Sequence, residues 1–167
     1  GDANRNAPGQ VVVSGDSAAV EPGAEIAKAL GAKRAIILPV SVAAHSPLMV
    51  GAAEAMCAVL ATVDFADPTT TLLANAGARP LTTGDACRAE LVEHLTTGVD
   101  WVRAVETMVA AGVDTFVEIG PGRVLTGLTK RIAADATVLA VDDPSAPDRL
   151  ALPLAPTDAA VAPSPAP

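Results

Sequence analysis

Apolar and polar positions divide the chain into regular elements up to about residue 141. Residues 10–15, QVVVSG, read as a short β-branched strand, and 34–42, RAIILPVSV, as a second strand apolar enough for burial on both faces. Between them, residues 17–30 repeat apolar positions at helical spacing. Pro22 is tolerable there only in the first turn, and Gly31 suits the position after the last. Past His45, Ser46 is a good N-cap and Pro47 fits the first helical position, where its missing N–H is harmless. Met49, Ala52, Ala53, Met56, Leu60 and Val63 then recur every three or four residues, which predicts one apolar helix face.

Residues 70–76 read as a strand, and helices are predicted over 85–95 and 101–111, the latter between Asp100 and Gly112. A strand over 115–120, the turn GPG and a helix over 123–133 form one unit, and 137–141 closes the series. Strands alternating with helices predict an α/β layer architecture. From Asp142 the pattern stops. Residues 142–167 are rich in Ala and Pro and read as a disordered or polyproline-like tail or linker.

Composition narrows the classes. With Phe 2, Trp 1 and no Tyr among 167 residues, the core must be built from Ala, Val and Leu. The net charge of −8 argues against a general nucleic-acid binder, which needs an excess of Lys and Arg. Cys57 and Cys87 sit in helix-like segments and read as free thiols of a reducing cytosol. No Cys-x-x-Cys or His-x-x-x-His spacing occurs, so no structural zinc or other metal site is expected. No apolar run approaches the roughly 20 residues of a membrane span, and GDANRNAPGQ is not a secretory signal. The chain reads as cytoplasmic, with no membrane or nucleic-acid partner.

Candidate chemistry centres on His45, which leaves an apolar run just before a helix. Composition and pattern alone favour a structural histidine, while position raises the catalytic reading, because ends of strands face the crevice where α/β proteins bind ligands. A base needs a nucleophile, and Gly-x-Ser-x-Gly is absent from these residues. Ser46 reads as a cap, and Ser41 has no elbow glycines. GPG at 120–122 resembles a phosphate-binding turn but places Leu125 where G-x-G-x-x-G needs its third glycine, so a tight strand-to-helix turn is the plainer reading. His94 lies near a helix end and Trp101 reads as core. Lys33–Arg34 and Lys130–Arg131 are basic pairs that read as solvated ends or docking points for an acidic partner.

Four stretches go further: NRNAPGQVVVSG (4–15), GAKRAIILPVSVAAHSPLM (31–49), LVEHLTTGVDWVRAVETM (91–108) and VEIGPGRVLTGLTKRI (117–132). In order and spacing they resemble the malonyl-CoA:acyl-carrier-protein transacylases, over roughly residues 1–141. The resemblance implies a C-terminal part of the acyltransferase fold, an α/β-hydrolase-like core over 43–141, with half of a ferredoxin-like subdomain over 1–42. It implies transfer of malonyl from coenzyme A to the phosphopantetheine thiol of acyl carrier protein by a ping-pong acyl transfer, with malonyl-CoA as substrate and no cofactor.

By the same resemblance His45 is the base, oriented by a main-chain carbonyl at the position of His94, where many members carry Gln. Asn6 and Asn75 match asparagines near the family's cleft. Ala44 stands where a Phe in many malonyl-selective relatives screens the acyl α-substituent, implying a looser screen here. Lys33 and Arg34 would dock the acidic carrier protein. The family's elbow serine, its malonyl-binding arginine and part of its oxyanion hole belong to an N-terminal portion with no match here. The expectation is therefore an N-terminally truncated chain, inactive alone and completed by a separate N-terminal half. A non-catalytic carrier-protein-binding module is the competing reading, and a nucleotide-binding domain built on GPG ranks below both.

Overall fold

Pro8 and Gly9 turn the chain back on itself, with Gly9 at φ 73°, a value glycine adopts without a Cβ penalty. The flanking residues pair antiparallel as β1 (Asp2–Ala7) and β2 (Gln10–Val13). The computed structural model describes residues 1–143, so the expectation for 144–167 lies outside the described residues. The chain divides into two units, Gly1–Ala104 and one beginning at Val105.

In the first unit β1 also pairs in parallel with β5 (Val99–Asp100), giving the order β2-β1-β5. The sequence pattern did not indicate β1, because its polar NRN interrupts the apolar signal; the buried Ala3 and Ala7 are its inward contribution. α1 (Ser17–Ala29) starts at Asp16, whose carboxylate accepts the Ala18 N–H at 2.8 Å, and ends at Gly31 with φ 99°. Pro22 lies beyond the first turn expected for it, in a helix that buries none of its residues.

The strand expected over 34–42 does not form. A strand is held by its neighbours, and among the described residues none pairs with this segment. Its apolar side chains stay open: Ile36, Ile37, Leu38, Val40 and Val42 are each more than half exposed.

After a 3₁₀ turn (Pro47–Met49), α2 (Val50–Leu60) buries Ala53 and Leu60, while Ala52, Met56 and Val63 of the expected face are exposed. β3 (Leu72–Leu73) and β4 (Pro80–Leu81) form a short antiparallel pair, less than the predicted strand over 70–76. α3 (Gly84–Glu93) is capped by Thr83, whose hydroxyl accepts the Ala86 N–H. Gly84 packs so close to Phe65 that an added Cβ would lie 2.2 Å from the Phe65 carbonyl oxygen. Core positions of this unit are mostly alanine and leucine, among them Ala74, Ala78 and Leu81, as the scarcity of aromatics requires.

α4 (Trp101–Ala110) contains the boundary between the units, and Gly112 with φ 91° ends it. Trp101, expected in the core, is only half-buried. In the second unit, β6 (Thr115–Ile119) and β7 (Thr137–Val141) run parallel in unbroken register, joined by α5 (Val124–Ile132), which buries Thr126, Leu128 and Thr129. A parallel pair needs such a crossover helix. No helix among the described residues is long and apolar enough to cross a membrane.

Candidate active site

His45 occupies the left-handed backbone region at φ 59°. Few non-glycine residues do so, at a cost of roughly 1 kcal/mol or more, and such strain persists only where the surroundings over-determine it. Here they do. The Ser14 hydroxyl donates to the Ala44 carbonyl at 2.6 Å, and the Ser46 hydroxyl to the Ala43 carbonyl at 2.7 Å. Ser46 also accepts the Leu48 N–H at 3.3 Å and is 2 % exposed, so it is the cap its sequence context indicates rather than a free nucleophile.

The imidazole of His45 is half-buried and meets the main chain of His94, with Nδ1 and the His94 carbonyl oxygen 2.6 Å apart. A carbonyl can only accept, so Nδ1 carries the proton and Nε2 keeps its lone pair. His94 is the C-cap of α3, where main-chain carbonyls have no partner within the helix. His45 thus satisfies an orphan carbonyl at the end of α3. His94 turns its own Nδ1 to the Glu90 carbonyl at 3.0 Å, with the two rings 5.9 Å apart.

Asn75 and Asn6 reach the neighbouring sheet edge. Asn75 lies exposed in the turn between β3 and β4, and its carbonyl accepts the Asp100 N–H at 3.0 Å. Asp100 pairs with Arg5 of β1, and half-buried Asn6 follows at once. Both asparagines therefore sit at the carboxyl end of the parallel β1–β5 pair, where α/β folds bind ligands. Ala44 adjoins His45 and is half-buried. Lys33 and Arg34 lie exposed in the segment after α1.

Two residues not singled out in the sequence complete the constellation. Glu90, 4 % exposed, accepts the Asn75 N–H at 2.7 Å and the Ala76 N–H at 3.5 Å, and pairs with Arg79 at 3.1 Å. Arg79 also meets Glu93 at 2.8 Å. A glutamate mid-helix carries no local motif; only the fold places the 75–79 turn against it.

The GPG turn is settled by a neighbour. Gly120 and Gly122 adopt φ of 141° and 91°, and the Glu118 carboxylate accepts the N–H groups of Leu125 at 3.1 Å and Thr126 at 2.7 Å. The amides a phosphate would use at α5 are already engaged, so the tight-turn reading holds. The hydroxyl and amide of Thr126, with the Leu125 amide, hold the Glu118 carboxyl below its ordinary range, against desolvation and the charge of Asp142. Arg123, 2.9 Å away, lowers Asp142 likewise. A depressed carboxyl stabilises the fold fully above the unfolded value of about 4.3 and loses that contribution as pH falls through the folded value. Urea midpoints are expected to fall less steeply below about pH 4.3 for Glu118→Gln than for the parent chain; equal slopes would contradict this linkage.

Among the described residues no group of three or more His, Cys, Asp or Glu side chains is placed to hold a metal ion. No protein-family model matches the chain. The malonyl CoA-acyl carrier protein transacylase of Escherichia coli K12 is 48% identical over 143 residues, covering 86% of this chain and 46% of that protein. The transacylase of Bacillus subtilis 168 is 42% identical over 142 residues, covering 85% and 45%. The crystal structure of acyl-carrier-protein S-malonyltransferase from Bartonella henselae superposes with a TM-score of 0.85 at 42% identity, covering 89% of this chain and 48% of that one. A malonyl-transacylase in complex with a type II polyketide acyl-carrier protein gives 0.83 at 42% identity, covering 86% and 47%.

The fold and the histidine seated on a helix-terminal carbonyl define the class, part of an α/β acyltransferase fold. The chain spans about half the length of the curated relatives it matches. Over the matched residues it is similar to the C-terminal half of the malonyl-CoA–acyl carrier protein transacylases.

Proposed function

We propose that these residues carry the general base of an [acyl-carrier-protein] S-malonyltransferase and work with a nucleophile from polypeptide outside them. The observation that carries this reading is the His45 Nδ1 bond to the His94 carbonyl, which leaves Nε2 as a fixed proton acceptor. In the first half-reaction Nε2 takes the proton of a serine hydroxyl as its oxygen attacks the malonyl thioester. The tetrahedral intermediate collapses, the C–S bond breaks, and His45 returns the proton to the coenzyme A thiolate. In the second, His45 takes the proton of the carrier-protein thiol, the sulfur attacks the seryl ester, and the serine regains its proton. Electrons and protons balance without a cofactor.

Asn6 and Asn75 line the acyl cleft, and Ala44 offers the α-substituent more room than Phe. The same reading assigns 1–42 to part of a ferredoxin-like subdomain and 43–141 to the acyltransferase core, with β1 joining the two by its pairing with β5. The cytoplasm is the compartment, supported by the free thiols of Cys57 and Cys87.

The test combines the chain with the N-terminal half of a relative and follows labelled malonyl from coenzyme A to holo-carrier protein. Transfer above either piece alone supports the reading, and none overturns it. Exposed Lys33 and Arg34 favour a second reading, a carrier-protein docking module that need not be catalytic. Salt-sensitive carrier binding lost on reversing both charges supports docking there; binding indifferent to the reversal removes it.

A further inference from the structure

We propose that Glu90 is a positioning residue of the transfer site, tying the Asn75 turn to the helix end that holds His45; this rests on the acyltransferase reading above. A carboxylate 4 % exposed is a costly group to place in a helix unless each oxygen is engaged, and here both are. Oε1 accepts the Asn75 N–H and, more distantly, the Ala76 N–H, and Oε2 takes the Arg79 guanidinium. The side chain thus fixes three points of one short turn to a single place on α3. The backbone of the same residue serves the other side, since its carbonyl accepts both the His94 N–H and the His94 ring Nδ1, each at 3.0 Å. One turn of helix therefore carries two bonds of consequence. The His94 carbonyl sets the ring of His45, and the Glu90 carboxylate sets Asn75, whose carbonyl in turn holds Asp100 at the end of β5.

Base and cleft asparagine are in this way referenced to two residues one turn apart, Glu90 of α3 and its C-cap His94. Their relative position is fixed by hydrogen bonds to charged or helix-terminal groups rather than by loop packing. That matters in acyl transfer, because the acyl carbon must meet the base and its cleft contacts together. Arg79 holds the arrangement from outside, bridging Glu90 and Glu93 through one guanidinium nitrogen.

The experiment compares Glu90→Ala, Glu90→Gln and Arg79→Gln in the chain combined with the N-terminal half of a relative. Glu90→Ala is expected to speed exchange of the Asn75 and Ala76 amides roughly ten- to a hundredfold, as losing a bond to a charged acceptor should. The His45 ring ¹⁵N signals should keep the Nδ1–H form, because Glu90 reaches His94 through its main chain, and the amides of β6 and β7 should be unchanged. Glu90→Gln, which keeps an acceptor for Asn75 but not the charge for Arg79, should fall between, and Arg79→Gln should loosen the same amides without touching the helix. In the reconstituted enzyme Glu90→Ala should lower kcat roughly ten- to a hundredfold with KM for malonyl-CoA little changed, and Glu90→Gln should recover part of it. Unchanged exchange of the Asn75 and Ala76 amides, or changes spread equally over the second unit, overturn the proposal. An unchanged kcat with transfer intact in the parent overturns it too. No transfer in the parent itself overturns the acyltransferase reading instead.

Discussion

Replacing His45 by alanine in the reconstituted transferase is expected to lower malonyl transfer by roughly 10²–10⁴-fold, the span general acid–base catalysis contributes. The expectation follows from the geometry of a single bond. Nδ1–H donates to the His94 carbonyl at 2.6 Å, which excludes the tautomer whose lone pair would point the wrong way. When Nε2 takes a proton from the nucleophile, the same bond to the His94 carbonyl keeps the ring in place for its return. His94→Gln should cost far less than His45→Ala, because the acceptor is main chain and survives the substitution. Folding should barely register the His45→Ala change, since Ser14 and Ser46 hold the turn independently of the ring. Transfer rates and circular dichroism of the two variants check this. A His45→Ala enzyme with near-parental turnover would remove the histidine from the mechanism.

How far the sequence reveals such a site depends on how local its signals are. Ser46-Pro47 as a helix start, Gly31 and Gly112 as helix stops, and the β6–α5–β7 unit are set by residues adjacent in the chain, and the fold has them where the pattern puts them. His45 and His94 emerge from the family resemblance, 49 residues apart and joined only by the fold. Glu90 and Arg79 leave no trace in the pattern. One is a single charge in a short helix and the other a turn residue, and their meaning arises from an approach across eleven residues. β1 and β5 fail for a related reason: a polar NRN stretch and a two-residue segment become strands by pairing with each other, not by periodicity. Residues 34–42 fail in the opposite sense. Their pattern is that of a fully buried strand, but pattern expresses a demand for neighbours, and among the described residues those neighbours are not there.

That unmet demand carries the second large expectation: the 167-residue chain alone should self-associate and melt without a sharp transition. Ile37 is 55% exposed and, with Ala35, lines a groove of about 500 Å³ against Glu21, Ala24, Glu25 and Lys28 of α1. Val11 and Val13 of β2, and Ile26 and Leu30 at the end of α1, are also more than half exposed. With Ile36, Leu38, Val40 and Val42 they make nine large apolar side chains open to water in residues 10–42. Covering about half of each would release roughly 1 kcal/mol apiece, so burial of the set is worth on the order of 10 kcal/mol, comparable with the whole stability of a small domain. Such surface, flanked by unpaired strand edges, finds partners. Sedimentation over a concentration series and binding of a dye that reports exposed apolar surface should reveal the association. Ile37→Lys should weaken it while leaving the secondary structure intact, because an exposed position contributes little to folding. Adding the N-terminal half of a relative should suppress it and restore a cooperative melt, since a second polypeptide then covers the segment. A chain that stays monomeric at all concentrations and unfolds sharply would mean that residues 34–42 need no neighbour, and the proposed subdomain over 1–42 would lose its physical basis.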